Sequence, residues 1–312
     1  MKDFITYLDS YFRRLTPANI LSTILFISVL IVCNYTFGIE SRVRDIRPWY
    51  LSLFSFFFFY SFVFYFAWGL TGIPVIQPPA GRRRFLFILL LAPLYFSFKM
   101  IHWDLSPLLP GGLHEPWDRY ALIVLQLPAK LLLLCILLWC CDKFLRGENI
   151  SGPSLFGLTT KNFRPGPYFI LLALMLPLIA LASTRPDFLH TYPKVKNIAF
   201  IAGHTRLTWP WQLLYEISYG LDFFSIELFF RGLLVITLAR YAGEKAILPM
   251  AAFYCTIHFG KPLGECISSF FGGLILGVIA LRTRSILGGL IVHLGLAWLM
   301  EAGGWLGNLF RL

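Results

Sequence analysis

Ile226-Glu227-Leu228-Phe229-Phe230-Arg231-Gly232 lies inside a long apolar run, 211–240, and sets a carboxylate and a guanidinium where a bilayer would ordinarily exclude both. Glu216, Asp222, Glu227 and Arg231 all fall in this run. A charge near mid-membrane costs roughly 3 kcal/mol on insertion scales, so these side chains require an internal, polar destination. At about 100° per residue, Glu216, Gly220, Phe223, Glu227 and Arg231 line one stripe of a helix. Glu227 and Arg231 have the i,i+4 spacing at which a carboxylate meets a guanidinium. Taken alone, the pair is accounted for as an ion pair that lets the helix enter the membrane and pins it to its neighbours.

Composition gives the setting. The chain is 57% hydrophobic, 17% aromatic and only 14% charged over 312 residues, which excludes an ordinary soluble domain. The apolar runs are continuous rather than alternating, and backbone groups in lipid then require helices, so the fold expected is an all-α, polytopic transmembrane bundle rather than a barrel. Spans of about 20 residues are expected at 20–37, 50–70, 85–100, 120–141, 168–183, 211–240, 246–258, 266–281 and 286–302, a count of eight to nine. The seventh is too short to cross a hydrocarbon core of about 30 Å unless it is half-buried, tilted or extended. Lys2, Arg13 and Arg14 precede the first span with no small-residue cleavage site, which predicts a retained span rather than an excised signal peptide. A slight excess of Lys and Arg in the loops on its side favours a cytoplasmic N terminus. The run Phe54, Phe56, Phe57, Phe58 and Phe59 reads as a lipid-facing surface.

The net charge of +11 is spread over interhelical loops, with Arg82, Arg83 and Arg84 as the one tight cluster. That pattern suits anionic lipid headgroups, and no nucleic-acid partner is expected. Six cysteines, Cys33, Cys135, Cys140, Cys141, Cys255 and Cys266, lie in or beside apolar runs without metal-site spacing and read as small packing residues. Gly272, Gly273, Gly277, Gly288, Gly289 and Gly295 suit close helix packing. Residues 1–205 hold the N-terminal helices and loops, where Pro128 and Lys130 are the main oddities, and Lys130 either snorkels or pairs internally. Residues 206–312 hold the chemistry.

That chemistry consists of the carboxylates of the sixth run with two histidines that follow. His258 closes Tyr254-Cys255-Thr256-Ile257-His258, and His293 lies in Leu290-Ile291-Val292-His293-Leu294-Gly295. One membrane histidine is usually a hydrogen-bonded packing residue. Two of them with a carboxylate on consecutive segments make a general acid–base set suited to hydrolysis. Glu265 reads as an anchor of a helix boundary.

The spacing Ile226-Glu227-x-x-x-Arg231, Tyr254-x-x-x-His258 and His293-x-x-x-Ala297 resembles the CPBP family, the CAAX prenyl protease and bacteriocin-processing (Abi) intramembrane endopeptidases, over about 211–302. That family carries Glu-Glu-x-x-x-Arg, Phe-x-x-x-His and His-x-x-x-Asn on successive helices around a polar cavity. The resemblance implies a carboxylate and a histidine that activate water against a peptide carbonyl, with the last His and Asn stabilising the oxyanion. His258 and His293 carry over; the first glutamate is Ile226 here and the asparagine is Ala297. Three readings of the gap stay open: Glu227 serves as base with His258, Asp222 substitutes from one turn earlier, or catalysis is lost. The candidate catalytic residues are therefore Glu227, His258 and His293, with Arg231 and Asp222 supporting.

No metal is expected, although two histidines and a glutamate are a donor set that zinc accepts. The resemblance implies a membrane-associated peptide or protein substrate, a lipid bilayer as surroundings and a bacterial plasma membrane as location. A catalytically silent scaffold or peptide-binding relative is the first rival. A transporter using Glu227, Arg231 and the histidines as a relay is the second.

Overall fold

The computed structural model describes residues 1–72, 79–145, 156–161 and 163–310, and among them no strand occurs. In chain order the helices are α1 (Lys2–Arg14), α2 (Pro17–Phe37), α3 (Ile39–Asp45), α4 (Trp49–Thr71), α5 (Pro79–Met100), α6 (Trp117–Leu145), α7 (Gly166–Ala182), α8 (Pro186–Thr191), α9 (Trp209–Glu227), α10 (Ala239–Ala242), α11 (Ile247–Thr256), α12 (Leu263–Thr283) and α13 (Leu287–Leu309). A 3₁₀ stretch, Lys194–Gly203, precedes α9, and a π-helical stretch, Leu228–Thr237, follows it.

Among the described residues, five helices are long and apolar enough to cross a membrane: α2, α4, α6 (Trp117–Phe144), α12 and α13. They coincide with five of the nine expected spans, and the count of eight to nine is not established by them. The run 85–100 lies in α5, whose start carries Arg82, Arg83 and Arg84, and 168–183 lies in the shorter α7. The run 211–240 is not one regular helix. Its hydrogen bonding changes after Glu227, so that Leu238 N donates to Leu233 O at 3.3 Å and Thr237 Oγ1 donates to Gly232 O at 3.0 Å, both five residues back.

The described residues form two compact units. The first comprises Met1–His102, Leu137–Arg164 and Glu227–Gly289. Its core is aromatic. Tyr60, Phe64, Phe96, Phe229 and Phe230 surround Phe253 with ring centroids 5.1 to 6.1 Å apart, the offset and edge-on range in which ring quadrupoles attract. The expectation of a uniformly lipid-facing Phe run is corrected here: Phe54 and Phe58 are exposed, but Phe56 is buried against Tyr60, their rings stacked at 5.7 Å. Helical spacing turns that residue inward while its neighbours face out.

Further along the same unit, α2 ends because Gly38 adopts a left-handed φ of 62° and its N–H bonds back to Asn34 O. Helix α1 docks on α12, with Arg282 donating to Ser10 Oγ at 2.9 Å while Glu244 receives Arg282 at 2.7 Å and Arg14 at 3.2 Å. Of the cysteines, Cys135 and Cys140 are exposed, so packing does not account for those two.

The second unit comprises Trp103–Ile136, Pro165–Ile226 and Leu290–Leu312. Here Tyr120, Val124, Ile198, Ile201 and Tyr215 form a small core. Tyr120 donates to Trp211 O at 2.7 Å and Ser218 donates to Val124 O at 2.6 Å, which ties α6 to α9. Lys130 is buried in this unit. Glu301 accepts the backbone N–H groups of Lys194 and Val195 at 2.6 and 3.1 Å, satisfying the orphan donors that open the 3₁₀ stretch.

One glycine is fixed by close approach. A Cβ on Gly232 would lie 2.6 Å from the carbonyl oxygen of Phe156, a backbone atom that cannot step aside. Gly232→Ala should therefore destabilise the protein by about 1–3 kcal/mol, the usual cost of overpacking. Thermal unfolding in lipid–detergent micelles reads this directly, and an unchanged midpoint would show that the 156–157 segment yields.

Candidate functional site

In the first unit the centre of the site is a buried ion pair. Arg231 Nη1 lies 3.0 Å from Glu227 Oε1, with both side chains essentially inaccessible, at 1% and 0% exposure. The sequence spacing anticipated this pair. Gly289 makes room for it, since a side chain there would collide with the Glu227 carboxylate. The other face of the guanidinium rests on an aromatic ring, with Arg231 Cζ 4.4 Å from the Tyr254 centroid. A desolvated cation over a ring gains about 2 kcal/mol or more from the ring quadrupole.

Tyr254 carries the arrangement on to His258. Their rings meet edge to face at 4.7 Å, and His258 Nδ1 lies 2.9 Å from Tyr254 O. A carbonyl oxygen only accepts, so Nδ1 bears the proton in this contact and Nε2 is the basic nitrogen of the neutral ring. Gly273 permits the ring to sit where it does, because a Cβ there would be 2.9 Å from Tyr254 Cδ1. The turn bearing His258 is fastened from α2: Asn34 Nδ2 donates to Phe259 O at 3.0 Å and Tyr35 Oη donates to Lys261 O at 2.5 Å. Lys261 Nζ stands 3.7 Å from Glu265 at the start of α12.

Asp222 and His293 belong to the second unit. There the His293 ring lies 5.3 Å from Phe223, which in turn packs edge-on against Tyr219 at 4.9 Å. Asp222 and His293 are half-buried, and Ala297, at the position of the family's asparagine, is buried with a methyl group where an amide would be. Within the first unit the structure thus brings Glu227, Arg231 and His258 together around Tyr254.

Sequence reasoning missed Tyr254 as the joint between ion pair and histidine, and missed Asn34 and Tyr35 as the fastening of the His258 turn. The first was visible only as an aromatic four residues before the histidine. The other two lie more than two hundred residues away in the chain and left no local signal. Among the described residues no group of three His, Cys, Asp or Glu side chains gathers as a metal site would require.

Removing one partner of a buried pair leaves an uncompensated charge and costs about 3–5 kcal/mol. Arg231→Met should lose that much stability. The double variant Glu227→Gln with Arg231→Met should recover most of it, as measured by denaturation in lipid–detergent micelles. Additive losses in the double variant would show that the two residues do not act as a pair.

No curated protein and no solved structure matches the chain. A family model does match residues 207–299, the segment that contains Glu227, Arg231, His258 and His293. Its description is Rce1-like, type II CAAX prenyl endopeptidase Rce1-like, and this match bears out the CPBP-family resemblance read from the motifs.

Proposed function

We propose that this integral membrane protein is an intramembrane endopeptidase, its core in 206–312, that hydrolyses a peptide bond in a membrane-associated protein or peptide. The family match over 207–299 carries the reading. Its chemistry rests on the contact between His258 Nδ1 and Tyr254 O, which fixes the ring so that Nε2 is the proton acceptor.

His258 Nε2 takes a proton from a water whose oxygen bonds to the scissile carbonyl carbon. The carbonyl oxygen becomes an oxyanion, for which His293 is the donor in the family's pattern. Collapse breaks the C–N bond, and the proton on His258 passes to the leaving amine. Glu227, buried against Arg231, serves as the positioning residue that holds the guanidinium over Tyr254, so that a histidine stands in for the carboxylate missing at Ile226. No step here needs a metal ion.

The family description points to a prenylated C-terminal peptide as the substrate class. A bacterial plasma membrane is the proposed setting. The test is release of the C-terminal fragment from quenched fluorescent peptides, prenylated and unprenylated, by protein in liposomes. His258→Ala should lower kcat/KM by about 10²–10⁴-fold, the usual share of a general base, with folding retained. Asp222→Asn should leave the rate within a few-fold of wild type. Wild-type cleavage by His258→Ala overturns the assignment of the base. Peptide binding without cleavage by the wild-type protein, beside an active family enzyme, would identify a catalytically silent relative.

A further inference from the structure

Two buried thiols flank the His258 turn and have no part in the hydrolysis just described. Cys255 lies in the last turn of α11 and Cys266 in the first turn of α12, eleven positions on, with Sγ atoms 4.0 Å apart and neither residue exposed. Cys255 Sγ also donates to Cys266 O at 3.4 Å, so the two helix ends are already drawn together. A disulfide needs an S–S separation of about 2.05 Å, so closing it takes about 2 Å of sulfur movement. Cys141, on α6, is buried as well and serves as the control thiol.

We propose that Cys255 and Cys266 form an oxidative modification site: a small, membrane-permeant two-electron oxidant converts them to an intramolecular disulfide that staples the His258 turn. With an azodicarboxamide such as diamide, one thiol sulfur adds to the N=N bond and its proton goes to the second nitrogen. The other sulfur then attacks the first, the S–N bond breaks, and its proton ends on the departing hydrazine. Two thiols are oxidised and one azo bond is reduced. Burial slows the first step by hindering access, whereas the second step is intramolecular and fast once the first has occurred.

The segment the staple would close contains His258, Phe259 and Lys261, already held by Asn34 and Tyr35. Oxidation therefore stiffens the turn on which the proposed base sits. That consequence rests on the endopeptidase reading, while formation of the disulfide does not.

The experiment treats the full chain in nanodiscs with diamide, denatures it in N-ethylmaleimide and maps every cysteine by mass spectrometry. Expected is a parallel loss of alkylation at Cys255 and Cys266, with a linked peptide pair lighter by two hydrogens, restored by dithiothreitol, while Cys141 stays alkylated. Cys255→Ser should return Cys266 to full alkylation. Undiminished alkylation at both positions overturns the proposal, as does loss at Cys266 in the Cys255→Ser variant or a link to Cys33 instead. Peptide release is measured on the same samples. A linked pair in a protein that cleaves nothing even when reduced would sink the endopeptidase reading and leave the site standing.

Discussion

Everything around the site depends on keeping one arginine and one glutamate buried out of reach of bulk solvent. At 3.0 Å and a low effective dielectric the attraction between them is worth several kcal/mol, yet desolvating each ion costs a comparable amount. The pair is therefore a constraint more than a source of stability. Its neighbours have to be shaped around it: Gly289 stays without a side chain beside the carboxylate, the Tyr254 ring lies 4.4 Å beneath the guanidinium carbon, and Phe229 and Phe230 pack on Phe253 in the buried aromatic core. An apolar pair of the same volume would fill the space at similar cost, so the charges earn retention by what they orient.

What they orient is Tyr254. Its ring is shared between the Arg231 cation on one contact and the His258 ring on another, and its carbonyl oxygen sets the histidine tautomer. A residue engaged three times in this way has little rotational freedom, and its stiffness passes to His258. This gives the substitution at Ile226 a chemical sense under the proposed function. A glutamate next to Glu227 would add a second carboxylate beside a guanidinium already paired with the first. Without it, the proposed base is an imidazole whose far nitrogen is held by a carbonyl.

The sequence made the helical, membrane-embedded class and the Glu227–Arg231 pair legible, because both rest on short-range rules: apolar run length and the i,i+4 spacing. Its errors have physical causes too. By composition the Phe-rich run faces lipid, but helical geometry sends Phe56 into the core while Phe54 and Phe58 point out. The run 211–240 looked like one helix because hydropathy is blind to hydrogen-bond register, and the shift to five-residue bonding after Glu227 leaves no mark on it. The tethers from Asn34 and Tyr35 were invisible because they are long-range bonds to backbone carbonyls, which carry no residue-type signature.

The run 246–258 teaches the most about the site. Helix α11 has ten residues, about 15 Å at 1.5 Å per residue, and every one of them is buried. It is apolar all round because protein surrounds it, and hydropathy cannot tell that condition from a lipid-facing span. A helix that stops away from water needs donors for its last carbonyls. The turn that follows supplies them: Cys255 O receives His258 N at 3.0 Å, Thr256 O receives Phe259 N at 3.3 Å and Tyr254 O receives His258 Nδ1. The histidine thus caps the helix that presents it. Satisfying a helix end and fixing the imidazole that the proposed function makes the base are, at this position, the same hydrogen bond.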